Sequence, residues 1–253
     1  MGTWNMNRGG DVTIGDWIPG LTTLGVGIWC LQETQFVSDF DVAGWRWFGC
    51  QGNKAAIIVP EDIAHHVKWS SCFDGGADLL RGRVSSLLLD NVGICSAYFP
   101  HDGKSLEEFS IVAWEVDHHL RVLKEKGAKH FVLGCDLNNA LPCNYNGVTG
   151  GGIYRPPTLS DFARIDIFMP ILAKFKLQAS NTFDEGSQAF TRVSWGERKF
   201  RTQIDFIFAS ETLKVHQPFV SVNDKFCGDE FRLSNSDHFP VHGYFDLGER
   251  TLN

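Results

Sequence analysis

The sequence predicts a single α/β domain in which strands outnumber helices. Most apolar residues fall in short runs of strand length, separated by Gly, Pro, Asn and Asp, which favour turns. Two stretches, beginning near Ser105 and Ser160, show helical spacing instead. No internal repeat, low-complexity tract or linker divides the chain, so we expect one domain over residues 1–253.

The composition indicates a large buried core and no general attraction to polyanions. Hydrophobic residues make up 43% and aromatic residues 13% of the chain, and 30 acidic against 23 basic residues give a formal net charge of -7. Contact with nucleic acid would therefore need a local basic patch. No apolar run is long enough to predict a membrane span, and no signal pattern precedes the first strand. That strand begins almost at Met1, which suggests a domain of a longer product.

The seven cysteines predict reduced thiols rather than a disulfide framework or a zinc site. Their number is odd, and no Cys-x-x-Cys pair occurs. Cys30, Cys95 and Cys135 each lie in an apolar, strand-like run, as buried thiols commonly do. We therefore expect an intracellular protein, which would be nuclear when it acts on DNA.

The first hundred residues read as successive strands. The predicted strands are 2–6, 26–31, 45–49, 55–59, 67–72, 83–89 and 92–98. Residues 26–31 form a continuous apolar run, typical of a strand buried on both faces, and bring Glu33 to its end. Asp90-Asn91 separates the last two strands and is a two-residue hairpin signal.

The second part of the chain mixes helices and strands. Ser105 and Glu108 form a capping box ahead of an apolar stripe with helical spacing that ends near Gly127. A strand over 130–135 then brings Asp136 to its end, and a long Gly-, Asn- and Pro-rich loop follows. We expect a second helix over 160–175, interrupted or shortened near Pro170. The remaining predicted strands are 190–193, 203–209 and 241–245.

Polar side chains recur where the predicted strands end, the position at which a sheet presents residues to a cleft. They are Asn5, Asn7, Glu33, Tyr98, Asp136, Asn138, Asp205, Asp237 and His238. Any one of them alone is more simply a turn residue or a cap. Together they meet the needs of phosphate-ester hydrolysis.

That chemistry requires a divalent cation, an oriented water and a cationic or proton-donating group facing the phosphate. Glu33 is the first candidate ligand for Mg²⁺, with Mn²⁺ as an alternative ion. Asp136 beside Asn138 suits the water. His238 suits the phosphate, with Asp205 to fix its tautomer.

Six motifs in order resemble the endonuclease/exonuclease/phosphatase superfamily, which includes DNase I, apurinic/apyrimidinic endonucleases and the endonuclease domains of non-LTR retrotransposons. The motifs are Trp4-Asn5-Met6-Asn7, Leu31-Gln32-Glu33-Thr34, Ser96-Ala97-Tyr98-Phe99-Pro100, Gly134-Cys135-Asp136-Leu137-Asn138, Gln203-Ile204-Asp205-Phe206-Ile207 and Ser236-Asp237-His238-Phe239-Pro240. The resemblance implies a four-layer sandwich of two mostly antiparallel β-sheets packed face to face, with helices on the outer faces.

The resemblance also implies roles. Glu33 would hold the metal together with Asn7 and Asp237. Asp136 and Asn138 would position the water and the phosphate. His238, oriented by Asp205, would contact the scissile phosphate, and Asn5 and Tyr98 would reach it as well.

Two positions depart from the repair enzymes of the family. Asn7 stands where many of them carry aspartate, and this looks more like the retrotransposon branch. His101 stands where asparagine is common, and either donates to a phosphate or is a loop residue. A basic and aromatic stretch that includes Thr191, Arg192 and Trp195 resembles the region facing substrate, although a solvated hairpin is the simpler alternative.

The leading hypothesis is a Mg²⁺-dependent DNA endonuclease that leaves 3′-hydroxyl and 5′-phosphate ends, as the target-nicking domain of a non-LTR retrotransposon. A reverse transcriptase would then lie elsewhere in the same parent polypeptide, since none is recognisable in these residues. One alternative keeps the chemistry and changes the substrate: an abasic-site repair enzyme, or a phosphoinositide or sphingolipid phosphodiesterase. Another is a catalytically inactive binding module.

Overall fold

Two six-stranded β-sheets form the centre of the molecule. The structure, a computed structural model, describes residues 1–6, 21–22, 24–34, 44–49, 54–72, 82–153, 156–183, 190–193, 200–220 and 236–246. The strands are β1 (Gly2–Asn5), β2 (Trp29–Gln32), β3 (Trp45–Phe48), β4 (Ala55–Pro60), β5 (Val67–Cys72), β6 (Val84–Leu89), β7 (Val92–Tyr98), β8 (His130–Asp136), β9 (Leu177–Ala179), β10 (Arg192–Val193), β11 (Arg201–Thr202), β12 (Asp205–Ser210), β13 (Lys214–Val220) and β14 (Val241–Asp246). The helices are α1 (Glu61–Ala64), α2 (Leu106–Glu125) and α3 (Leu159–Lys174), with a 3₁₀ turn over Ser180–Thr182.

Each large sheet contains one parallel pair among antiparallel neighbours. The first sheet has the order β13-β14-β1-β2-β4-β3, and β1 runs parallel to β2. The second has the order β5-β6-β7-β8-β12-β9, and β7 runs parallel to β8. Parallel neighbours carry their carboxyl ends to the same edge of a sheet, so each pair delivers two strand ends to one place.

The two sheets pack face to face through side chains that alternate along their strands. Cys30 and Ile57 of the first sheet share a buried core with Leu87, Ile94 and Val132 of the second. β1 contacts β8, and β2 contacts β7, so the two parallel pairs lie opposite each other. This arrangement confirms the predicted sandwich of two packed sheets.

Gly134 lies where the two sheets approach each other closely. A Cβ atom at this position in β8 would stand 2.7 Å from the Cβ of Cys30 in β2 and 3.0 Å from the Cβ of Thr3 in β1. Carbon atoms that are not bonded do not approach so closely without displacement. Glycine is therefore required here for the spacing between the sheets.

The longer helices cover the outer face of the second sheet. Phe109 and Leu120 of α2 and Phe168 of α3 share a core with Phe206 and Phe208 of β12. The predicted capping box of α2 is confirmed by hydrogen bonds in both directions. The backbone N–H of Glu108 donates to Ser105 Oγ at 3.1 Å, and that of Ser105 donates to Glu108 Oε2 at 3.0 Å.

Several predicted boundaries were wrong. α3 runs through Pro170 without interruption, because Phe168, Met169 and Leu172 are buried on either side of the proline and their packing holds the helix. β2 begins at Trp29 rather than at residue 26. The strands β9, β11 and β13 were not predicted, since two or three residues are too few to show a period and β13 carries charged and polar residues.

The expected reduced thiols are confirmed for Cys30, Cys95 and Cys135, which are free and buried. Burial raises the pKa of the Cys30 thiol to about 12, so it stays protonated. The expectation was wrong for Cys72, which is disulfide-bonded. An odd number of cysteines excludes complete pairing but not one bond, and the pattern of spacings could not reveal it. Among the described helices, none is both long and apolar enough for a membrane crossing.

His119 is a buried histidine on α2 that faces β6. Its Nδ1 lies 2.6 Å from Ser86 Oγ, and the residue is 4% exposed. Burial, helped by the charge of His118, lowers the pKa of His119 to about 4. The unfolded chain takes up a proton near pH 6.5. The contribution of His119 to the free energy of unfolding is therefore fully present above pH 6.5 and is lost as the pH drops towards 4.

We expect the free energy of unfolding of His119→Gln to depend less on pH than that of the wild type. Glutamine can still hydrogen-bond Ser86 but does not titrate, so up to about 3 kcal/mol of pH dependence between pH 4 and 6.5 should disappear. Urea denaturation at a series of pH values measures the slope. His65→Gln, at an exposed histidine, is the matched control and should leave the slope as it is. An unchanged slope in His119→Gln would contradict the assignment.

Candidate active site

The carboxyl ends of the two parallel pairs lie together at one edge of the sandwich. Asn5 ends β1, Glu33 follows β2, Tyr98 ends β7 and Asp136 ends β8. The amino end of β12 joins them, because Asp205 pairs with Asp136 in the antiparallel register. The structure therefore brings together side chains that are up to 200 residues apart, as the sequence predicted.

Asn5 links the two sheets directly. Its Nδ2 donates to Asp136 Oδ2 at 2.7 Å and to Glu33 Oε1 at 3.1 Å. The hydroxyl of Tyr98 donates to the same Glu33 oxygen at 2.7 Å. Glu33 adopts a φ of 53°, a left-handed conformation that is costly for glutamate, and its backbone N–H donates to the carbonyl of Lys54. These contacts hold the Glu33 carboxylate in one place.

Asp136 is fully buried and is surrounded by amide donors. Asn138 donates its backbone N–H to Asp136 Oδ1 at 2.9 Å and its Nδ2 to Oδ2 at 3.1 Å. Its Nδ2 also donates to the carbonyl of Phe99, and its φ of 50° is one that asparagine tolerates. Burial and the charge of Asp205 raise the pKa of Asp136 to about 7, despite the charge of His238. Asp136 can therefore accept a proton near neutral pH.

His238 and Asp205 form a buried pair beside Asp136. His238 Nδ1 lies 2.9 Å and 3.1 Å from the two carboxylate oxygens of Asp205. Burial by itself would lower the pKa of His238, but the charge and hydrogen bond of Asp205, with the charges of Asp136 and Asp237, raise it to about 9. His238 is thus a cation at neutral pH, oriented through Nδ1 with Nε2 left for another partner.

The His238 segment is docked onto β1 by a serine and a tryptophan. Ser236 Oγ donates to the carbonyl of Asn5 at 2.6 Å and accepts the backbone N–H of His238 at 3.1 Å. Trp4 Nε1 donates to the carbonyl of His238 at 3.0 Å. The positions of Asn5 and His238 are therefore fixed relative to each other.

The predicted substrate-facing residues lie in different surroundings. Thr191 is fully buried, and its hydroxyl accepts the backbone N–H groups of Ile204 and Asp205, each at 3.0 Å, so it positions Asp205 from behind. His101 is exposed, and its Nδ1 accepts the backbone N–H of Gly103 at 3.1 Å.

Arg192 and Asp237 form an ion pair beside His238, in which the Arg192 side chain is partly exposed. Arg192 Nε donates to Asp237 Oδ2 at 2.8 Å, and the other oxygen of Asp237 lies 3.7 Å from His238 Nε2. The predicted residues Asn7 and Trp195 lie outside the described residues.

Sequence and structure comparisons identify the family and the fold. The model of the Endonuclease/Exonuclease/phosphatase family matches residues 2–225. The chain belongs to this family. A search of proteins of curated function finds none that matches this endonuclease/exonuclease/phosphatase domain.

Solved structures share the fold of this endonuclease/exonuclease/phosphatase domain at low sequence identity. The endonuclease domain of TRAS1, a telomere-specific non-LTR retrotransposon, is 18% identical, with a TM-score of 0.61 and 98% of each chain covered. The 3′ phosphatase NExo from Neisseria, bound to a product DNA hairpin, is 16% identical, with a TM-score of 0.69 and coverage of 97% of this chain and 98% of that one. The AP endonuclease LMAP from Leishmania major is 14% identical, with a TM-score of 0.67 and coverage of 98% and 87%.

The donor set of this family member fits a hard divalent cation. Glu33 receives both of its hydrogen bonds on Oε1, and among the described residues no bond to Oε2 is found. The ligand atoms of Asp136, Asp205 and His238 also lie within 4.8 Å of one another. His238 is protonated and faces Asp205, so Glu33 is the better candidate ligand. Carboxylate and amide oxygens of this kind are the ligands that Mg²⁺ prefers. Burial and the nearby carboxylates raise the pKa of Tyr98, so it remains a donor towards Glu33.

Two buried arginines support the site and were missed in the sequence. Arg83 donates Nη1 to the carbonyl of Tyr98 at 3.1 Å, and its guanidinium carbon lies 4.7 Å from the centre of the Tyr98 ring. Arg164 of α3 donates to four backbone carbonyls. These belong to Pro100 at 3.1 Å, Asn138 at 3.5 Å, His101 at 2.9 Å and Lys104 at 3.1 Å.

A signal for Arg164 was present in the sequence. It lies four residues before Phe168 and beside Ile165, on the helix face whose members are buried. A charged residue on an apolar helix face must find partners inside the protein. Arg164 finds them in the segments that follow β7 and β8, and so ties together the loops that carry His101 and Asn138.

Arg164→Met is expected to lower the free energy of unfolding by about 3 kcal/mol, since several buried carbonyls lose a charged donor. The nicking activity that the sequence predicts should fall about 10-fold, because misplaced groups beside a reacting centre lower the rate. Urea denaturation and nicking assays measure the two effects. Arg121→Met removes an arginine from a surface pair with Asp117 and should change stability by less than about 1 kcal/mol. Equal destabilisation by both variants would contradict the assigned role.

Proposed function

We propose that this chain is a Mg²⁺-dependent DNA endonuclease that leaves 3′-hydroxyl and 5′-phosphate ends. The proposal rests on one observation: a carboxylate that can accept a proton lies beside a protonated histidine that is held in place. Asp136, with a pKa of about 7, lies next to His238, which Asp205 keeps protonated. Glu33 is held on the other side of Asp136 by Asn5 and Tyr98. Phosphodiester hydrolysis needs this combination of groups in one pocket.

Each residue has a distinct part in the proposed reaction. Asp136 accepts the proton of the attacking water, and the amides of Asn5 and Asn138 fix its carboxylate. His238 donates a hydrogen bond from Nε2 to a phosphate oxygen and balances the charge that develops there. The water oxygen bonds to phosphorus, the bond between phosphorus and the 3′-oxygen breaks, and the departing 3′-oxygen takes a proton from solvent, which gives a 3′-hydroxyl and a 5′-phosphate. A Mg²⁺ ion, when bound, would be held by Glu33 and would neutralise charge on the phosphate.

The biological setting we propose is target nicking by a non-LTR retrotransposon. Asn7 resembles that branch of the family, and the fold matches the TRAS1 endonuclease domain over nearly the whole of both chains. A reverse transcriptase in the same parent polypeptide would use the freed 3′-hydroxyl, and nicking of chromosomal DNA would take place in the nucleus.

A second candidate is repair of abasic or blocked DNA ends. The fold matches the phosphatase NExo and the AP endonuclease LMAP as well as it matches TRAS1. The net charge of -7 also leaves open small phosphodiesters. Rates on a plain duplex, an abasic oligonucleotide, a 3′-phosphorylated oligonucleotide and a soluble inositol phosphate would rank these substrates.

Plasmid nicking tests the central proposal. The wild-type protein should convert supercoiled plasmid to the open circle with Mg²⁺ and not with EDTA, whereas Asp136→Ala and His238→Ala should be inactive. His65→Ala replaces an exposed histidine and is the control, which should nick like the wild type. Extension of the nick by a DNA polymerase without phosphatase treatment detects the 3′-hydroxyl. Equal nicking by all four proteins would contradict the proposal, and folded protein with no activity on any substrate would favour a binding module.

A further inference from the structure

Backbone hydrogen bonds join the chain segments that carry Arg192 and Asp237. The N–H of Val193 donates to the carbonyl of Asp237 at 2.9 Å, and the N–H of Phe239 donates to the carbonyl of Thr191 at 2.7 Å. Arg192 and His238 thus face each other as an isolated antiparallel bridge. The two chain segments hold the Arg192 and Asp237 side chains side by side before any ligand arrives.

The charges in this part of the pocket alternate in sign. Asp205 contacts His238 at 2.9 Å, His238 Nε2 lies 3.7 Å from Asp237, and Asp237 contacts Arg192 at 2.8 Å. The Asp237 side chain is only 10% exposed, and its two oxygens face one cation each. A divalent ion at Asp237 would have to displace Arg192 and would then lie beside two positive groups, which is unfavourable at these distances.

We propose that Arg192 acts as an internal cation that engages Asp237, so that this chain binds one divalent ion, at Glu33, without using Asp237 as a ligand. This inference rests on the proposed function, and it differs from the expectation that Asp237 binds the metal. Arg192 and Asp237 are positioning residues for His238. Glu33 accepts its hydrogen bonds from the neutral donors Asn5 and Tyr98 and forms no ion pair among the described residues, so a cation can bind its carboxylate without displacing one.

Titration of the protein with Mn²⁺ in the absence of DNA tests the proposal, with bound and free Mn²⁺ measured by electron paramagnetic resonance. The wild-type protein should bind one ion per chain, and Glu33→Gln should weaken binding at least 10-fold. The charge-balanced double variant Arg192→Met with Asp237→Asn should bind one ion within 3-fold of the wild-type affinity. Arg192→Met alone, which frees the Asp237 carboxylate, should bind a second ion or bind several-fold more tightly. Arg201→Met, which removes an arginine from outside this pair, should match the wild type.

Several outcomes would overturn the proposal. They are two ions on the wild type, no ion at all, or a double variant that loses affinity as much as Glu33→Gln. Circular dichroism of each variant establishes that it is folded. Nicking in the same samples separates this inference from the proposed function. A wild type that nicks with Mg²⁺ while the double variant loses Mn²⁺ would refute only the role of Arg192, whereas a wild type that neither binds Mn²⁺ nor nicks refutes both.

Discussion

Asp136→Asn is expected to lower the nicking rate by at least about 10³-fold, since an amide cannot take the proton of the attacking water. The substitution keeps the shape of the side chain and an oxygen that can accept from Asn5, so the fold should remain. Single-turnover nicking at saturating Mg²⁺ measures the loss. Asp166→Asn, which neutralises an exposed carboxylate on α3, should nick like the wild type. Residual activity within 10-fold of the wild type would contradict the role of Asp136 as proton acceptor.

The same substitution should change how the stability of the metal-free protein depends on pH. The pKa of Asp136 is raised from 3.8 to about 7 by burial and by Asp205, so the folded state binds a proton that the unfolded state has lost. Its contribution to stability is present below pH 3.8 and is lost as the pH rises to 7, at about 1.4 kcal/mol per pKa unit. Asparagine avoids this loss. Urea denaturation in EDTA should show that the stability of Asp136→Asn relative to the wild type increases between pH 4 and pH 8.

Asp205→Asn is expected to lower the nicking rate by about 10³- to 10⁴-fold, the size of effect seen when an orienting aspartate is lost from a histidine. Both oxygens of Asp205 lie within 3.1 Å of His238 Nδ1, and asparagine can place an NH₂ group there instead. The pKa of His238 should then fall from about 9 towards or below its ordinary value, so that the ring is neutral at pH 7.5.

The pH dependence of Asp205→Asn separates this cause from unfolding. The pH of greatest residual activity should be lower than in the wild type, because His238 regains its proton only at lower pH, while protonation of Asp136 still limits the rate on the acid side. NMR titration of the His238 ring should show the lowered pKa. Asp90→Asn alters another histidine–aspartate pair, with His66, at a partly exposed position remote from the pocket, and is the matched control. An unchanged His238 titration, or a rate loss equal in Asp90→Asn, would contradict the proposed coupling.

The resemblance of the six motifs to the family implied that the site residues converge, and local periodicity predicted their places at strand ends. Glu33 and Asp136 each follow an apolar run, and the capping box at Ser105 is equally local. The ion pair between Arg192 and Asp237 could not be predicted in the same way. It joins residues 45 positions apart through a backbone bridge that forms only when the sheets are in place. The same holds for the bond that Cys72 makes and for the contacts of Arg164 with two separate loops.

The candidate active site is divided between the two β-sheets, and Gly134 sets how closely those sheets approach each other. Asn5 and Glu33 belong to one half, and Tyr98 and Asp136 to the other, and the amide of Asn5 and the hydroxyl of Tyr98 bridge the gap. An added methyl group two residues before Asp136 would wedge the sheets apart directly below those bridges. The proposed activity should therefore depend on the distance between the two sheets. A small increase in that distance should abolish it even if every strand remains folded.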